Sequence, residues 1–210
     1  MADSAPFTLS RATEADMEQI TRLCWLSFPQ FVRDVLMGCP TEDDLPRSVK
    51  RFQEEMREDH YSVWIKVVDN STGKIAAASN WKIFPGATAP AETDEQPIPW
   101  LDDETREKAR NVLNEMNEAR RKANPGGFVH LHILFTDSEY RRRGAGDMML
   151  QWGTDVADVL AVPGWVEASP EGNHLYRRHG FNDVANVPSG GTFMRREPKP
   201  IARAGGRVKA

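Results

Sequence analysis

Two groups of residues in the second half of the chain have the types and spacing to do chemistry. The first is Arg141-Arg142-Arg143-Gly144-Ala145-Gly146, which follows a strongly apolar segment and opens a helical pattern. A glycine-bearing turn from a strand into a helix exposes backbone N–H groups at the positive end of the helix dipole, and together they bind phosphate. Gly144 and Gly146 would let phosphates approach the backbone, and the arginines add charge. An exposed basic turn that needs glycine only for its geometry would read the same way. The turn lacks the third glycine of a dinucleotide-binding fold and the Gly-Lys-Ser/Thr of an ATP-binding loop. The second group is His130-Leu131-His132. Residues two apart on a strand point to one face, so the two imidazoles lie together. Imidazole titrates near neutrality and can take up or pass on a proton there. Two satisfied histidines on a sheet would show the same spacing. No third ligand is evident, so no metal is expected.

These residues sit in a wider pattern. Arg141-x-x-Gly144-x-Gly146 after an apolar strand resembles the acyl-CoA-binding motif of the GNAT superfamily of N-acetyltransferases. Leu150-Gln151-Trp152-Gly153 and Ala157-Asp158 continue the helix in a manner similar to fungal-type members. Glu167-Ala168-Ser169 and Leu175-Tyr176-Arg177-Arg178-His179-Gly180-Phe181 resemble the strand and the Tyr-containing helix that follow. The His-x-His strand resembles the paired histidines of arylalkylamine N-acetyltransferases. The motifs cover residues 128–182, and the order of elements covers almost the whole chain.

The resemblance implies a division of labour. Backbone groups of Leu134, Phe135 and Thr136 would pair with the pantetheine arm of acetyl-CoA. Arg141 and the amides of Arg142, Arg143, Gly144, Ala145, Gly146 and Asp147 would hold its pyrophosphate. Asn173 matches a position that bonds the cofactor arm, though it also suits a helix N-cap. Tyr176 would assist the departing thiolate with a proton or hydrogen bond; otherwise it is a packing tyrosine. An ammonium cannot attack a thioester, so a base must deprotonate the acceptor. His132 and His130 would relay that proton. Glu167 is the alternative base, unless it is a salt-bridge carboxylate. Cys24 and Cys39 lie in no nucleophilic motif, so direct attack in a ternary complex is expected rather than an acyl-enzyme.

The elements that must position these groups follow from hydrophobic periodicity and turn chemistry. Residues 7–12 alternate as a strand. Thr13 precedes an acidic first turn, and Met17, Ile20, Leu23, Cys24 and Leu26 fall at helical spacing until Pro29. A second helix is predicted over 43–59. Residues 61–68 and 74–84 form the clearest hairpin, around Asp69-Asn70-Ser71-Thr72-Gly73. A Pro- and acid-rich loop covers 85–99, and a helix covers 100–122. Then come a strand at 128–136, a helix at 144–160, a strand at 165–168, a short helix at 172–178, and strands at 181–187 and 192–195. The expected fold is α/β: a mixed, mostly antiparallel seven-strand sheet flanked by helices. It is expected as one domain over 1–197, with an inserted loop and helix at 85–125 and a mobile tail at 198–210.

Composition bounds the function. The chain has 210 residues, 28% charged and 40% hydrophobic, with a net charge of −4. That suits a soluble domain and excludes a broadly basic nucleic-acid coat. Residues 128–210 carry 11 basic and 9 acidic side chains, against 16 and 22 in residues 1–127. Much of the acidity lies in Glu92, Asp94, Glu95, Asp102, Asp103, Glu104 and Glu107. This reads as a rim that attracts a cationic amine, or as a solvated loop and helix start. Trp64, Trp81, Phe84 and Trp100 would wall an acceptor pocket, or fill the core. Two cysteines and no cationic-apolar leader suit a cytoplasmic or nuclear chain. The expected acceptor is a small-molecule primary amine, with no nucleic acid or membrane partner, in a monomer or homodimer. A non-catalytic acyl-CoA-binding regulator and a protein or peptide N-acetyltransferase are the competing classes.

Overall fold

The computed structural model describes residues 5–35, 37–86, 100–187 and 190–200. In chain order the strands and helices are β1 (Phe7–Arg11), α1 (Met17–Ser27), α2 (Gln30–Val35), α3 (Leu45–Glu58), β2 (Ser62–Asp69), β3 (Ile75–Phe84), α4 (Asp103–Ala123), β4 (Phe128–Thr136), α5 (Ala145–Leu160), β5 (Gly164–Ala168), α6 (Asn173–Arg178), β6 (Asn182–Val187) and β7 (Gly191–Arg196). Most of the predicted loop at 85–99, the acidic residues Glu92, Asp94 and Glu95, and the last ten residues of the predicted tail lie outside the described residues.

Local chemistry starts these helices. Thr13 and Asp16 form a capping box, with the Thr13 N–H donating to the Asp16 carboxylate at 2.8 Å. Asp16 also meets Lys66 on β2 at 2.5 Å, which ties the start of α1 to the sheet. Thr41 and Asp44 repeat the capping box before α3, where Pro46 occupies the first turn. That is the one helical site where a missing N–H costs nothing. Helix α2, which the sequence reading omits, also starts beside a proline. Pro29 ends the pattern of α1 but also opens the next helix, its carbonyl accepting from Val32 and Arg33.

The seven strands form one sheet in the order β1-β2-β3-β4-β5-β7-β6. Every neighbouring pair is antiparallel except β4 with β5. On one face α5 packs over Trp81, Val129 and Leu131 through Met149 and Leu150. Gly153 lets α5 lie this close, because a Cβ there would stand 2.1 Å from the Trp81 ring. On the other face α1 and α3 bury Met17, Ile20 and Phe52 against Trp64, Ile133 and Phe135. Beside them Met116, Ala119 and Ala123 of α4 cover Phe84, Phe128, Trp165 and Phe193.

Strand β4 changes phase midway. Asn80 pairs with Ile133 and Trp81 with Leu131, so His132 is the extra residue of a β-bulge. Val129 and Leu131 therefore belong to the α5 face, whereas Ile133 and Phe135 belong to the α1/α3 face. A bulge bends its strand and increases its twist.

Candidate active site

Strands β4 and β5 pair at only three positions: Val129 with Gly164, His130 with Trp165 and Leu131 with Val166. The pairing stops at the His132 bulge. Beyond it Glu167 and Ala168 pair only with β7, and β4 runs on to Thr136 with β3 as its one strand neighbour. The strands thus open a gap. Leu134, Phe135 and Thr136 lie along its unpaired side, and an extended chain could add there by backbone hydrogen bonds.

The arginine-glycine turn lies at the wide end of this gap, where β4 leads into α5. Arg142 (φ 60°) and Gly144 (φ 96°) are left-handed, separated by Arg143, which is not. Alternation of this kind makes a concave row of amides that accepts an anion. The first bond into α5 is Met148 N–H to the Gly144 carbonyl, so the amides of Ala145, Gly146 and Asp147 have no acceptor within the helix. The arginines differ in their ties. Arg141 Nε donates to the Thr136 carbonyl at 3.3 Å. Arg143 faces Asp69 at 3.6 Å and lies over the rings of Phe7 and Tyr140. Asp147 accepts from Arg178 at 2.7 and 2.9 Å and from His179 at 3.0 Å.

The two glycines have different reasons. A Cβ on Gly144 would meet nothing within 4 Å, so its left-handed backbone alone requires glycine. A Cβ on Gly146 would come within 3.1 Å of Leu175. Gly146 thus also serves the close approach of α5 to α6.

Helix α6 brings Asn173 and Tyr176 to the same end. Asn173 is not the N-cap; Gly172 is. Its Nδ2 donates to Thr192 at 3.3 Å, and its Oδ1 is buried with no hydrogen-bond partner. A buried acceptor without a donor is costly, and it fits a ligand that brings an N–H, such as a pantetheine amide. Tyr176 is packed edge-on to Phe181, with ring centroids 6.2 Å apart. Burial pushes its phenol up to about 12, so it stays protonated at any working pH.

The histidines occupy the opposite face. Their ring centroids lie 5.6 Å apart, so both imidazoles do share one side. His130 is buried, and its Nε2 lies 2.7 Å from Glu167 Oε2. The other carboxylate oxygen, Oε1, accepts from Arg120 Nε at 3.0 Å and Trp165 Nε1 at 2.7 Å. Burial raises the Glu167 carboxyl, but the charges of Arg120 and His130 and the hydrogen bonds outweigh it and hold the group far below the usual carboxylate range. With Glu167 ionised, His130 Nε2 carries the proton and donates it. Glu167 is therefore a committed ion-pair carboxylate, which corrects its expected role as an alternative base. His132 is held well below the usual imidazole range by burial and then by the charges of Lys82, His130 and Arg120, against Glu167. It is therefore neutral at pH 7.

The gap, the amide-lined turn at its mouth and the motif-bearing helices agree with a known family. The model of the acetyltransferase (GNAT) family matches residues 29–181. The chain belongs to this family. An uncharacterized N-acetyltransferase of Schizosaccharomyces pombe is 29% identical over 82 residues, which are 37% of this chain and 35% of that protein, so the chain spans about a third of that curated relative's length. Among solved structures, arylalkylamine N-acetyltransferase 2 from Aedes aegypti aligns with a TM-score of 0.65 at 15% identity, covering 93% of this chain and 100% of that one. The PaiA N-acetyltransferase from Thermoplasma acidophilum, in complex with coenzyme A, aligns with a TM-score of 0.53 at 9% identity, covering 92% and 99%. At these identities the likeness is one of fold.

On this GNAT scaffold some expectations about the acceptor side change. Trp64 and Trp81 are fully buried in cores on opposite faces of the sheet, and Phe84 belongs to a third cluster. Trp100 lies against Gly38 and Arg47 and donates to the Asp34 carbonyl at 2.6 Å. They do not line one pocket. Of the acidic rim, Asp102 caps α4 through Thr105, Asp103 pairs with Arg106, and Glu104 pairs with Lys108. These acids are helix-start chemistry.

The residues that sequence reading misses are Arg120, Trp165 and Lys82. Lys82 lies across from His130 and forms ion pairs with Glu55 and with Asp59. Arg120 sits in a basic last turn with Arg121 and Lys122, which reads as ordinary complementation of the helix dipole. Nothing local marks which of the three turns inward.

Proposed function

We propose that this protein transfers an acetyl group from acetyl-CoA to the primary amine of a small molecule, by direct attack in a ternary complex. The observation that carries this reading is the arrangement around the β4–β5 gap. Groups suited to the donor (the amide-lined turn, Asn173 Oδ1 and Tyr176) lie on one side, and a neutral histidine lies on the other. The T. acidophilum fold relative in complex with coenzyme A fits the donor side. The mosquito relative, named an arylalkylamine N-acetyltransferase, fits an amine acceptor.

The chemistry follows from the groups. His132 takes a proton from the acceptor ammonium, directly or through water, and frees the nitrogen lone pair. The amine nitrogen forms a bond to the thioester carbonyl carbon. The C–S bond then breaks with its electron pair going to sulfur, and the nitrogen, now positively charged, releases one of its two remaining protons to solvent to leave the neutral amide. Tyr176 donates a hydrogen bond to that sulfur as charge develops. With its phenol near 12, complete proton transfer to an alkyl thiolate (thiol pKa about 8.5) is uphill. Hydrogen-bond donation is therefore its role, and the thiolate takes its proton from solvent. Bound phosphates hold the thioester in place, so binding energy is used for positioning.

The test is an amine panel of polyamines, arylalkylamines, amino sugars and peptides, assayed for CoA thiol release with acetyl-CoA. Turnover with a small amine is the expected result. Turnover with peptides alone would replace the small-molecule acceptor with a protein or peptide acceptor. Acetyl-CoA binding without thiol release from any amine would make the protein a non-catalytic acyl-CoA-binding member of the family.

A further inference from the structure

The inserted helix α4 reaches the histidine pair with its far end rather than with its acidic start. Arg120 lies in its last turn, and its Nε donates to Glu167 Oε1 at 3.0 Å. Both side chains are about 10% exposed. The helix end is fastened at two further points. Asn124 donates to the Arg120 carbonyl from its backbone (3.1 Å) and side chain (2.9 Å). Asn124 Oδ1 accepts from Arg195 Nε on β7 at 3.2 Å. The apolar side of the helix, Met116, Ala119 and Ala123, covers the aromatic cluster at the same place. Arg120 is thus delivered to Glu167 by a docked helix end, not by a free side chain.

Glu167 is the first β5 residue beyond the last β4–β5 pair, and His132 is the bulged β4 residue at the same level. A continuous chain of contacts crosses the closed end of the gap: Arg120 to Glu167, Glu167 to His130, and His130 to His132. Trp165 Nε1 holds Glu167 Oε1 from below and leaves Oε2 for His130. This is how a carboxylate orients an imidazole and holds a proton on its Nε2.

We propose that Arg120 is a positioning residue. Through Glu167 it sets the orientation of His130, and thereby the pH range over which His132 is free to accept a proton. The proposal rests on the transferase reading for its meaning, but its physical content concerns the imidazoles alone. The charged groups facing His132 are Lys82 from β3, His130 from its own strand, Arg120 from α4 and Glu167 from β5. Lys82 is in turn paired with Glu55 of α3 and with Asp59. Of these, Arg120 and Glu167 act on His132 with opposite signs. Removing the arginine charge leaves the carboxylate to favour imidazolium. Removing the carboxylate leaves the arginine to oppose it.

The experiment uses that opposition. Parent, Arg120→Gln, Arg120→Lys and Glu167→Gln proteins are compared by kcat/KM across pH 5.5–9 with the best amine, and by NMR titration of the imidazole C–H signals, assigned with His130→Gln and His132→Gln. Arg120→Gln should move the acid limb to higher pH, lowering the ratio of kcat/KM at pH 6 to that at pH 9 by about tenfold. Glu167→Gln should move it to lower pH, and Arg120→Lys should stay near the parent. The His132 signal should titrate in the same directions. A merely structural arginine would lower stability and leave both profiles where they were. Unmoved profiles in folded variants, or a shift in the same direction for Arg120→Gln and Glu167→Gln, would overturn the proposal. If Arg120→Gln does not fold, Arg120→Lys and Glu167→Gln carry the comparison. If the parent acetylates no amine, the transferase reading fails. The NMR titration then decides on its own whether Arg120 governs the pair.

Discussion

Tyr176 and His132 stand on opposite faces of one sheet. Tyr176 packs with Met149, Val129 and Leu131 on the α5 side, whereas His132 lies against His130 on the side of α1, α3 and α4. In an unbroken sheet the two side chains could not act on one reacting centre, because a layer of paired backbone would separate them. The split between β4 and β5 removes that layer beyond the His132 bulge. In the proposed reaction, a thioester in the gap would be met by a hydrogen-bond donor on one side and an amine beside a base on the other.

The first consequence concerns Tyr176. Tyr176→Phe keeps the ring, its contact with Phe181 and its burial, and removes one hydroxyl. We expect kcat to fall about 10²-fold when chemistry limits turnover, with little change in acetyl-CoA affinity measured by calorimetry. Because the phenol sits near 12, the parent should show no loss of activity from tyrosine ionisation below pH 10. Unchanged single-turnover rates for Tyr176→Phe would remove it from the mechanism.

His132 makes a prediction about pH. Its proton affinity is depressed by burial and neighbouring cations, so the neutral form persists well below the usual imidazole range. Activity that needs neutral His132 is present above its folded-state pKa and is lost as pH falls through it. The parent should therefore keep kcat/KM to pH values below about 6.5, corrected for the ionisation of the amine itself. In His132→Ala the solution must supply free amine, so the loss should be largest at low pH, about 10²-fold, and should shrink toward the amine pKa. A variant profile parallel to the parent's would argue against proton acceptance.

What was legible in the sequence was local. The turn at Arg141–Gly146, the His-x-His pair and Tyr176 lie within short motifs whose geometry follows from strand and helix periods, and the elements around them follow the order expected. Long-range partners were not legible. The His132 bulge arises from the pairing of β3 with β4, and no residue type in His130-Leu131-His132 announces it. Arg120 meets Glu167 across 47 positions of sequence, so neither marks the other. Gly146 also carries a packing constraint from Leu175, which its own motif does not announce. Helix α2 escapes the pattern because Pro29 both ends α1 and opens the next helix.

The turn offers a separable test of donor binding. Gly144 needs its left-handed backbone and has open space around its Cα, so alanine there adds strain without a clash. The cost of forcing an L-residue into this region is about 1–2 kcal/mol. We expect Gly144→Ala to raise the KM for acetyl-CoA by about 5- to 30-fold, with a much smaller change in the amine KM. A change confined to the amine would mean that the turn does not serve the donor.

Gly153 tests the packing that holds α5, and with it the turn, against the sheet. A Cβ at this position would stand 2.1 Å from the Trp81 ring, and Trp81 is fixed by its own hydrogen bond to Ser79 Oγ at 3.0 Å. The helix must lift or the ring must turn. Gly153→Ala should cost about 1–3 kcal/mol, read as a drop in Tm of roughly 2–4 °C per kcal/mol for a chain of this size. Trp81→Phe opens room at the same contact and should absorb part of that loss. The double variant should therefore be more stable than the sum of the single losses predicts, by about 1 kcal/mol in a thermal or urea unfolding cycle. Strict additivity would mean that the glycine is required for some reason other than this contact.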